Sequence, residues 1–172
     1  MHKQKQSDAD LEKLADLIEE SRIAMLTTAE PDGTLRSRPL ATLQLDARGA
    51  LWFFTSASSP KVDEIERHRR VNLSYVNPGD EDYVSISGIA ETVRDRAKMR
   101  ELWTPWVKPW FPRGLDDPDL VLLKVTIEQA EYWDAPDSAA KRLYGLAKAL
   151  ATGETDALGR NAKISRARRA HG

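Results

Sequence analysis

The sequence predicts a mainly β protein with flanking helices, in which six antiparallel strands form a closed or partly closed barrel. Short segments rich in β-branched and aromatic residues alternate with turn residues through most of the chain. Long helical crossovers, which an all-parallel sheet needs, are mostly absent between them. The six predicted strands span residues 23–28, 35–45, 50–55, 71–77, 83–92 and 120–133.

The turns between these strands have clear residue signals. Pro31-Asp32-Gly33, residues 46–49 and Asn77-Pro78-Gly79 combine the fixed φ of proline, the left-handed tolerance of glycine and side-chain acceptors of Asn or Asp. These signals favour antiparallel hairpins.

Four helices are predicted around the strands. The first begins near Ser7, which can cap free amides, and its apolar stripe is formed by Leu11, Leu14, Leu17 and Ile18. The other three are predicted over residues 61–68, 94–102 and 139–151. Residues 103–118 contain four prolines and are expected to form an ordered, aromatic-rich loop.

Length, charge and composition narrow the classes of protein to which this chain can belong. With 172 residues, we expect one domain over residues 1–158 and a basic, mobile tail over residues 159–172. No run reaches the roughly 18 apolar residues of a membrane span, and no signal-peptide core follows Met1, so a cytoplasmic location without a membrane partner is expected. The net charge of −1 makes nucleic acid an improbable partner. Without cysteine, any redox chemistry needs a cofactor.

Residues 52–61 carry the first candidate site. An apolar strand runs into Thr55, Ser56 and Ser59, and Lys61 follows at the start of a helix. Hydroxyls, free helix amides and a lysine together suit a phosphate group. The alternative is an ordinary turn in which the serines only cap the helix.

Two arginines in the second strand form another candidate. Arg36 and Arg38 alternate with Ser37, so their side chains share one face. If that face points inward, each guanidinium needs either a carboxylate on a neighbouring strand or an anionic ligand. A solvent-facing strand side is the alternative.

The remaining chemistry-bearing residues point to no catalytic group and no metal site. Trp103 and Trp106 are expected to pack rather than to bind a ring. The acidic residues Asp63, Glu64 and Glu66 are expected to form the solvated face of a helix. Hydrolase and metalloprotease motifs are not found in the sequence.

Several segments, taken in order, resemble the FMN-binding split-barrel superfamily, the pyridoxamine 5′-phosphate oxidase-like proteins, and most closely its general stress protein 26-like branch. The resemblance covers most of the chain, and the order and spacing of the pieces carry it. These pieces are residues 22–28, 36–40, 52–65, 84–88, 132–134 and 143–148.

The resemblance implies a six-stranded antiparallel split barrel that forms a homodimer, with flavin at the subunit interface. FMN is implied more strongly than FAD. Trp133 would approach the flavin from the partner subunit, and Trp110 would act as a lid. The cofactor-binding residues that the resemblance implies are Arg38, Pro39, Leu40, Phe54, Thr55, Ser56, Ser59, Lys61, Trp110 and Trp133.

Two departures from the oxidase pattern bear on activity. Pro60 stands where the oxidases have an arginine before the phosphate lysine, and residues 134–137 replace their C-terminal substrate motif. The resemblance therefore implies a flavin-dependent oxidoreductase, linked to NAD(P)H rather than to vitamin B6, with a small-molecule substrate. Two alternatives are a non-enzymatic stress protein that sequesters flavin, and a heme-utilisation or structural relative with an empty site.

Overall fold

A computed structural model describes residues 2–134, 146, 148, 150 and 160–165. The helices are α1 (His2–Ser21), α2 (Pro60–Arg67) and α3 (Arg96–Leu102), with short 3₁₀ turns at Pro105–Val107 and Gly114–Asp116. The strands are β1 (Ile23–Ala29), β2 (Leu35–Ala41), β3 (Gln44–Leu45), β4 (Ala50–Ser56), β5 (Arg70–Asn77), β6 (Asp82–Val93), β7 (Leu120–Asp134) and β8 (Arg160–Ser165).

The strands form one antiparallel sheet in the order β2-β1-β5-β6-β7-β4-β3. The eighth strand, β8, is not part of this order and pairs with the end of β7. β2 and β3 lie at opposite ends of that order, yet only Thr42 and Leu43 join them. The sheet must therefore curl until its two ends approach each other. The result is a split barrel that stays open between β2 and β3.

The prediction of an antiparallel β fold with flanking helices is confirmed, but the sheet has eight strands rather than six. The predicted strand over residues 35–45 is interrupted because the Thr42 N–H donates to the Arg22 carbonyl and the Leu43 N–H donates to the Trp52 carbonyl. The short strand β3 then pairs with β4.

The second additional strand corrects the prediction of a tail at residues 159–172. Arg160–Ser165 forms β8, antiparallel to the end of β7, where Ile164 lies opposite Ala130 and Ala162 lies opposite Tyr132. Ala162 and Ile164 pack against the main core. Part of the segment is therefore sheet, and the rest of the predicted tail lies outside the described residues.

The main core lies inside the curled sheet, and α1 covers one end of it. Leu14, Leu17 and Ile18 of the predicted apolar stripe are buried there, whereas Leu11 is exposed. The helix begins at His2, earlier than the predicted start at Ser7. Burial of the stripe fixes α1 against the sheet and supplies much of its stability.

A second core forms outside the sheet, beneath the loop after α3. Trp52 and Phe54 of β4 pack there with Met99 and Leu102 of α3. This core holds the aromatic loop against β4, beside the end of the strand from which the candidate phosphate residues arise.

The remaining helix predictions have mixed outcomes. The helix predicted over residues 61–68 is α2, and that predicted over residues 94–102 is α3, shifted by two residues at its start. The helix predicted over residues 139–151 lies largely outside the described residues. Within the described part of the chain, no helix is long and apolar enough to cross a membrane.

Candidate functional site

A cavity of about 350 Å³ lies where β2, the end of β4 and the start of α2 meet the aromatic loop. Eight of the ten sequence-predicted cofactor residues line it: Pro39, Leu40, Phe54, Thr55, Ser56, Ser59, Lys61 and Trp110. Its size lies within the range of small-molecule sites. The fold thus brings one end of the second strand, the end of the fourth and the first turn of α2 into one pocket.

Lys61 supplies the charge in this cavity. Its Nζ donates to Ser59 Oγ at 2.7 Å and to Thr55 Oγ1 at 3.1 Å, and no carboxylate of the described residues lies within ion-pair distance. Burial lowers the pKa of Lys61, nearby Arg38 lowers it further and Glu64 opposes the shift. A half-buried ammonium with only hydroxyl partners favours an anion, because an anion would compensate its lost hydration.

The turn before Lys61 is held by Asp119. The Ser58 backbone N–H and hydroxyl each donate to the Asp119 carboxylate at 2.8 Å, and the Ala57 N–H donates to the Asp119 carbonyl. The Ser58 N–H is the main reason that the pKa of Asp119 lies below its ordinary value. These bonds fix the turn and so the positions of Ser56 and Ser59.

Ser59 occupies the N-cap of α2, but its side chain makes no capping hydrogen bond. Its hydroxyl contacts the Lys61 ammonium instead. The simple capped turn considered from the sequence is therefore not what forms here, and the first amides of α2 are left without a side-chain acceptor from Ser59.

Arg38 does not line the cavity, although the sequence analysis assigned it to the cofactor. Its guanidinium donates to both carboxylate oxygens of Glu64, at 2.8 and 2.7 Å, and to Thr28 Oγ1 at 2.8 Å. Glu64 was expected on a solvated helix face, but it is buried against the sheet. The neighbouring Arg36 pairs with Glu30 at 2.8 Å. Carboxylates therefore meet both arginines, but they lie on α2 and just after β1 rather than on a neighbouring strand as the sequence analysis considered.

Aromatic side chains form the remaining wall. Trp103 and Phe111 both contact Phe54 edge to face, with centroids 5.7 and 6.3 Å away, which confirms the packing role predicted for Trp103. Trp106 was also expected to pack, but it is half exposed, lines the cavity and lies 5.1 Å from the Trp110 ring. The proline spacing predicted the loop but gave no signal for which tryptophan faces the cavity.

Trp133 lies away from this cavity. It belongs to β7 opposite Tyr83 of β6, and both rings are exposed on the outer face of the sheet. Within a single subunit, Trp133 therefore does not meet the other predicted cofactor residues.

A family model for the pyridoxamine 5′-phosphate oxidase-like proteins matches residues 9–157. The chain belongs to this family. Its fold also matches a solved structure described as a general stress protein 26 from Jannaschia sp. CCS1, with 30% sequence identity and a TM-score of 0.74. That match covers 92% of this chain and 99% of the other.

Two further relatives extend the comparison. The general stress FMN/FAD binding protein of Xanthomonas citri is 31% identical, with a TM-score of 0.65 over 74% of this chain and 89% of that one. Protein bli-3 of Neurospora crassa is 26% identical over 168 residues, covering 92% of this chain and 80% of its own length. The resemblance read from the sequence is thus confirmed at the level of family and fold.

Proposed function

We propose that this chain binds FMN in the 350 Å³ cavity, with the phosphate at Lys61, Ser59 and Thr55. The observation that carries the proposal is the half-buried Lys61 ammonium, whose described partners are hydroxyls alone. A phosphate would add the missing negative charge, and charge-assisted hydrogen bonds of this kind are among the strongest in proteins. The Xanthomonas citri relative is described as an FMN/FAD binding protein, which supports a flavin.

The rest of the cavity suits the remainder of such a ligand. Leu40 and Pro39 provide an apolar strand edge, and the exposed rings of Trp106 and Trp110 provide flat surfaces. Aromatic and aliphatic walls with a few placed polar groups are typical of cofactor sites. Arg38 is excluded from direct phosphate contact in this proposal, since Glu64 already neutralises it.

We further propose that the flavoprotein acts as an oxidoreductase on a small molecule, with a reduced nicotinamide as electron donor. A bound flavin supplies the electron- and hydride-accepting chemistry. The residues of this chain bind the phosphate, orient the ring against the strand edge and restrict the access of water. A cytoplasmic location fits the proposal, because a fold without cysteine needs no oxidising compartment.

The test is a visible absorbance spectrum of the purified, dialysed protein, followed by denaturation and chromatographic identification of the released flavin. FMN near one per subunit is the expected result. A colourless protein that also fails to quench the fluorescence of added FMN or FAD would overturn the proposal. Recovery of FAD alone would retain a flavin site and reject FMN.

A flavin-sequestering protein is the second candidate function. The Xanthomonas citri relative is described as a general stress FMN/FAD binding protein, and storage of flavin needs binding alone. Mixing the flavin-loaded protein with NADH or NADPH without oxygen separates the two candidates. Rapid, saturable bleaching of the flavin supports the oxidoreductase, whereas a flavin that stays oxidised supports the store.

We also propose that the chain forms a homodimer through the outer face of the sheet. Val76, Tyr83 and Trp133 are register neighbours on three adjacent strands, and each is 40–48% exposed. Ile23 and Met25 extend this apolar surface on the neighbouring strand β1. Apolar patches of this kind mark interfaces. In such a dimer, Trp133 could reach the flavin of the other subunit, as the family resemblance implies.

A further inference from the structure

A second cavity, of about 390 Å³, adjoins the proposed flavin cavity. It lies between the last turns of α1, the Thr42–Leu45 stretch and the Leu102–Trp106 segment. Leu43 and Trp106 line both cavities. A molecule in the second cavity would therefore be separated from the first by little more than these two side chains.

The walls of this second cavity combine apolar and polar side chains. Ile18 and Leu102 are buried beneath it, and the half-exposed Trp106 ring forms one side. Two polar lining residues are already occupied, because the Thr42 hydroxyl is hydrogen-bonded to Tyr75 and the Gln44 amide oxygen accepts from Lys98. Such walls suit a small molecule that has both a flat apolar body and a polar group.

Arg22 is the unusual residue at this cavity. It follows the last residue of α1 with φ of 54°, a left-handed conformation in which glycine is favoured over residues with a Cβ. Its N–H donates to the Ile18 carbonyl at 2.9 Å, and its carbonyl accepts from the Thr42 N–H at 2.8 Å, so the backbone is fixed there.

The Arg22 side chain has no assigned partner within the described part of the chain. It is exposed, lines the cavity and makes no ion pair with a described carboxylate. Glu19 lies one helical turn earlier and also lines the cavity, so the mouth carries one cation and one anion that do not neutralise each other directly. A guanidinium binds a carboxylate strongly and in a defined orientation.

We propose that this second cavity is a ligand pocket beside the flavin site, and that it takes a small aromatic carboxylate whose charged group binds Arg22 and whose ring lies against Trp106. Any effect of this ligand on the flavin rests on the proposed flavin function, but binding of the carboxylate does not. Trp106 then stands between this ligand and the flavin cavity, which explains why this tryptophan is half exposed at the boundary of two cavities instead of being buried like Trp52.

The test uses benzoate and benzamide, two flat probes of nearly equal size that differ in charge. Each is titrated into the ¹⁵N-labelled protein while the tryptophan indole N–H signals are followed, with the Trp106 signal assigned from Trp106→Phe. We expect benzoate to shift the Trp106 signal at lower concentration than benzamide. Arg22→Gly should weaken benzoate binding about tenfold and leave benzamide unchanged.

Arg22→Gly is a suitable variant because glycine favours the left-handed backbone that Arg22 adopts, so the fold should be retained. Arg48→Ala removes an exposed arginine that follows β3 without lining the cavity, and serves as the control. Glu19→Gln should strengthen benzoate binding severalfold, since it removes the negative charge at the mouth. Two results would overturn the proposed carboxylate binding. One is equal benzoate affinity in the wild type and Arg22→Gly, and the other is a Trp106 signal that does not shift when benzoate is added.

Titrations with and without bound flavin separate this inference from the proposed function. If no flavin binds but benzoate still requires Arg22, the pocket is supported and only the cofactor assignment fails. If benzoate binding depends on Lys61, tested with Lys61→Gln, and not on Arg22, the probe occupies the phosphate site and the inference is wrong.

Discussion

Arg38 and Glu64 join the edge strand β2 to the helix α2 through two hydrogen bonds of 2.8 and 2.7 Å between guanidinium and carboxylate. Thr28 completes the group, because its hydroxyl donates to Glu64 at 2.6 Å and accepts from Arg38 at 2.8 Å. Glu64 lies three residues after Lys61 on the same helix. The pair therefore sets the distance between β2 and the phosphate-binding turn, while it takes no part in the cavity itself.

The first prediction concerns the stability of this buried pair. Glu64→Leu should lower the free energy of unfolding by about 3–5 kcal/mol, because it leaves the Arg38 guanidinium uncompensated in a largely buried position. The double variant Arg38→Met/Glu64→Leu should recover most of that loss, since no charge remains. Urea unfolding measures both, with Glu66→Gln on the exposed face of α2 as control. A double variant no more stable than the single one would contradict this account.

The second prediction is a pH dependence. Hydrogen bonds from Arg38 hold the pKa of Glu64 below its ordinary value of 4.5, and the effect of burial is smaller and opposite. The folded state therefore binds this proton less readily than the unfolded state, so the pair's contribution is full above about pH 4.5 and is lost as pH falls through the lower, folded pKa.

Unfolding free energies from pH 7 to pH 3 check this prediction. The difference between the wild type and Glu64→Gln should be constant near neutrality and should shrink below about pH 4.5. Two curves that stay parallel down to pH 3 would show that Glu64 is not the titrating group.

The third prediction concerns the proposed FMN phosphate. Lys61→Ala should weaken FMN binding by about 1.5–3 kcal/mol, roughly 10- to 150-fold, because one charge-assisted contact is lost. Lys108→Ala is the matched control, since it removes an exposed lysine from the nearby aromatic loop. Quenching of FMN fluorescence on titration gives both affinities. Similar FMN affinities for the two variants would show that the phosphate does not bind at Lys61.

Several strands could be predicted from the sequence because burial alternates along them. β5 and β6, for example, place every second side chain in the core, and the turns between strands contain strong Pro, Gly and Asn signals. β8 could not be predicted in this way. Arg160 and Lys163 made the segment look like a solvated tail, whereas its place in the sheet depends on pairing with β7, far away in the sequence.

The candidate site, too, could be predicted from the sequence only in part. Thr55, Ser59 and Lys61 are close in sequence, and their contacts follow from one strand-to-helix turn, so sequence reasoning found them together. The partner of Arg38 is 26 residues away on a helix, and no local pattern identifies Glu64 as buried. Long-range partners of this kind decide whether an arginine binds ligand or protein, and only the fold supplies them.

The fourth prediction concerns the proposed dimer face. Val76→Lys places a charge at the β5 end of the exposed row of Val76, Tyr83 and Trp133, and it should weaken self-association without unfolding the subunit. Sedimentation velocity over a range of concentrations measures the effect, and circular dichroism checks the fold. Glu66→Lys, on α2, is the control. A wild-type protein that sediments as a monomer at all concentrations would reject the face as a dimer interface.

The fifth prediction tests the close approach of β6 to β7 at Gly88, where the register shifts after Ser87. A Cβ at Gly88 would lie 2.4 Å from the Thr126 carbonyl oxygen and 2.9 Å from Val125 Cγ1. The carbonyl belongs to a paired strand and cannot turn aside, so Gly88→Ala must separate the strands locally.

We expect Gly88→Ala to lower the free energy of unfolding by about 1–3 kcal/mol, the usual cost of overpacking. Gly79→Ala is the control, because its Cβ would meet only Asn77 Oδ1, at 3.5 Å. Urea unfolding of both variants decides the matter. If Gly88→Ala is as stable as Gly79→Ala, β6 and β7 can separate locally at little cost. The surrounding strand pairs, rather than the absence of a side chain at Gly88, would then maintain the register shift.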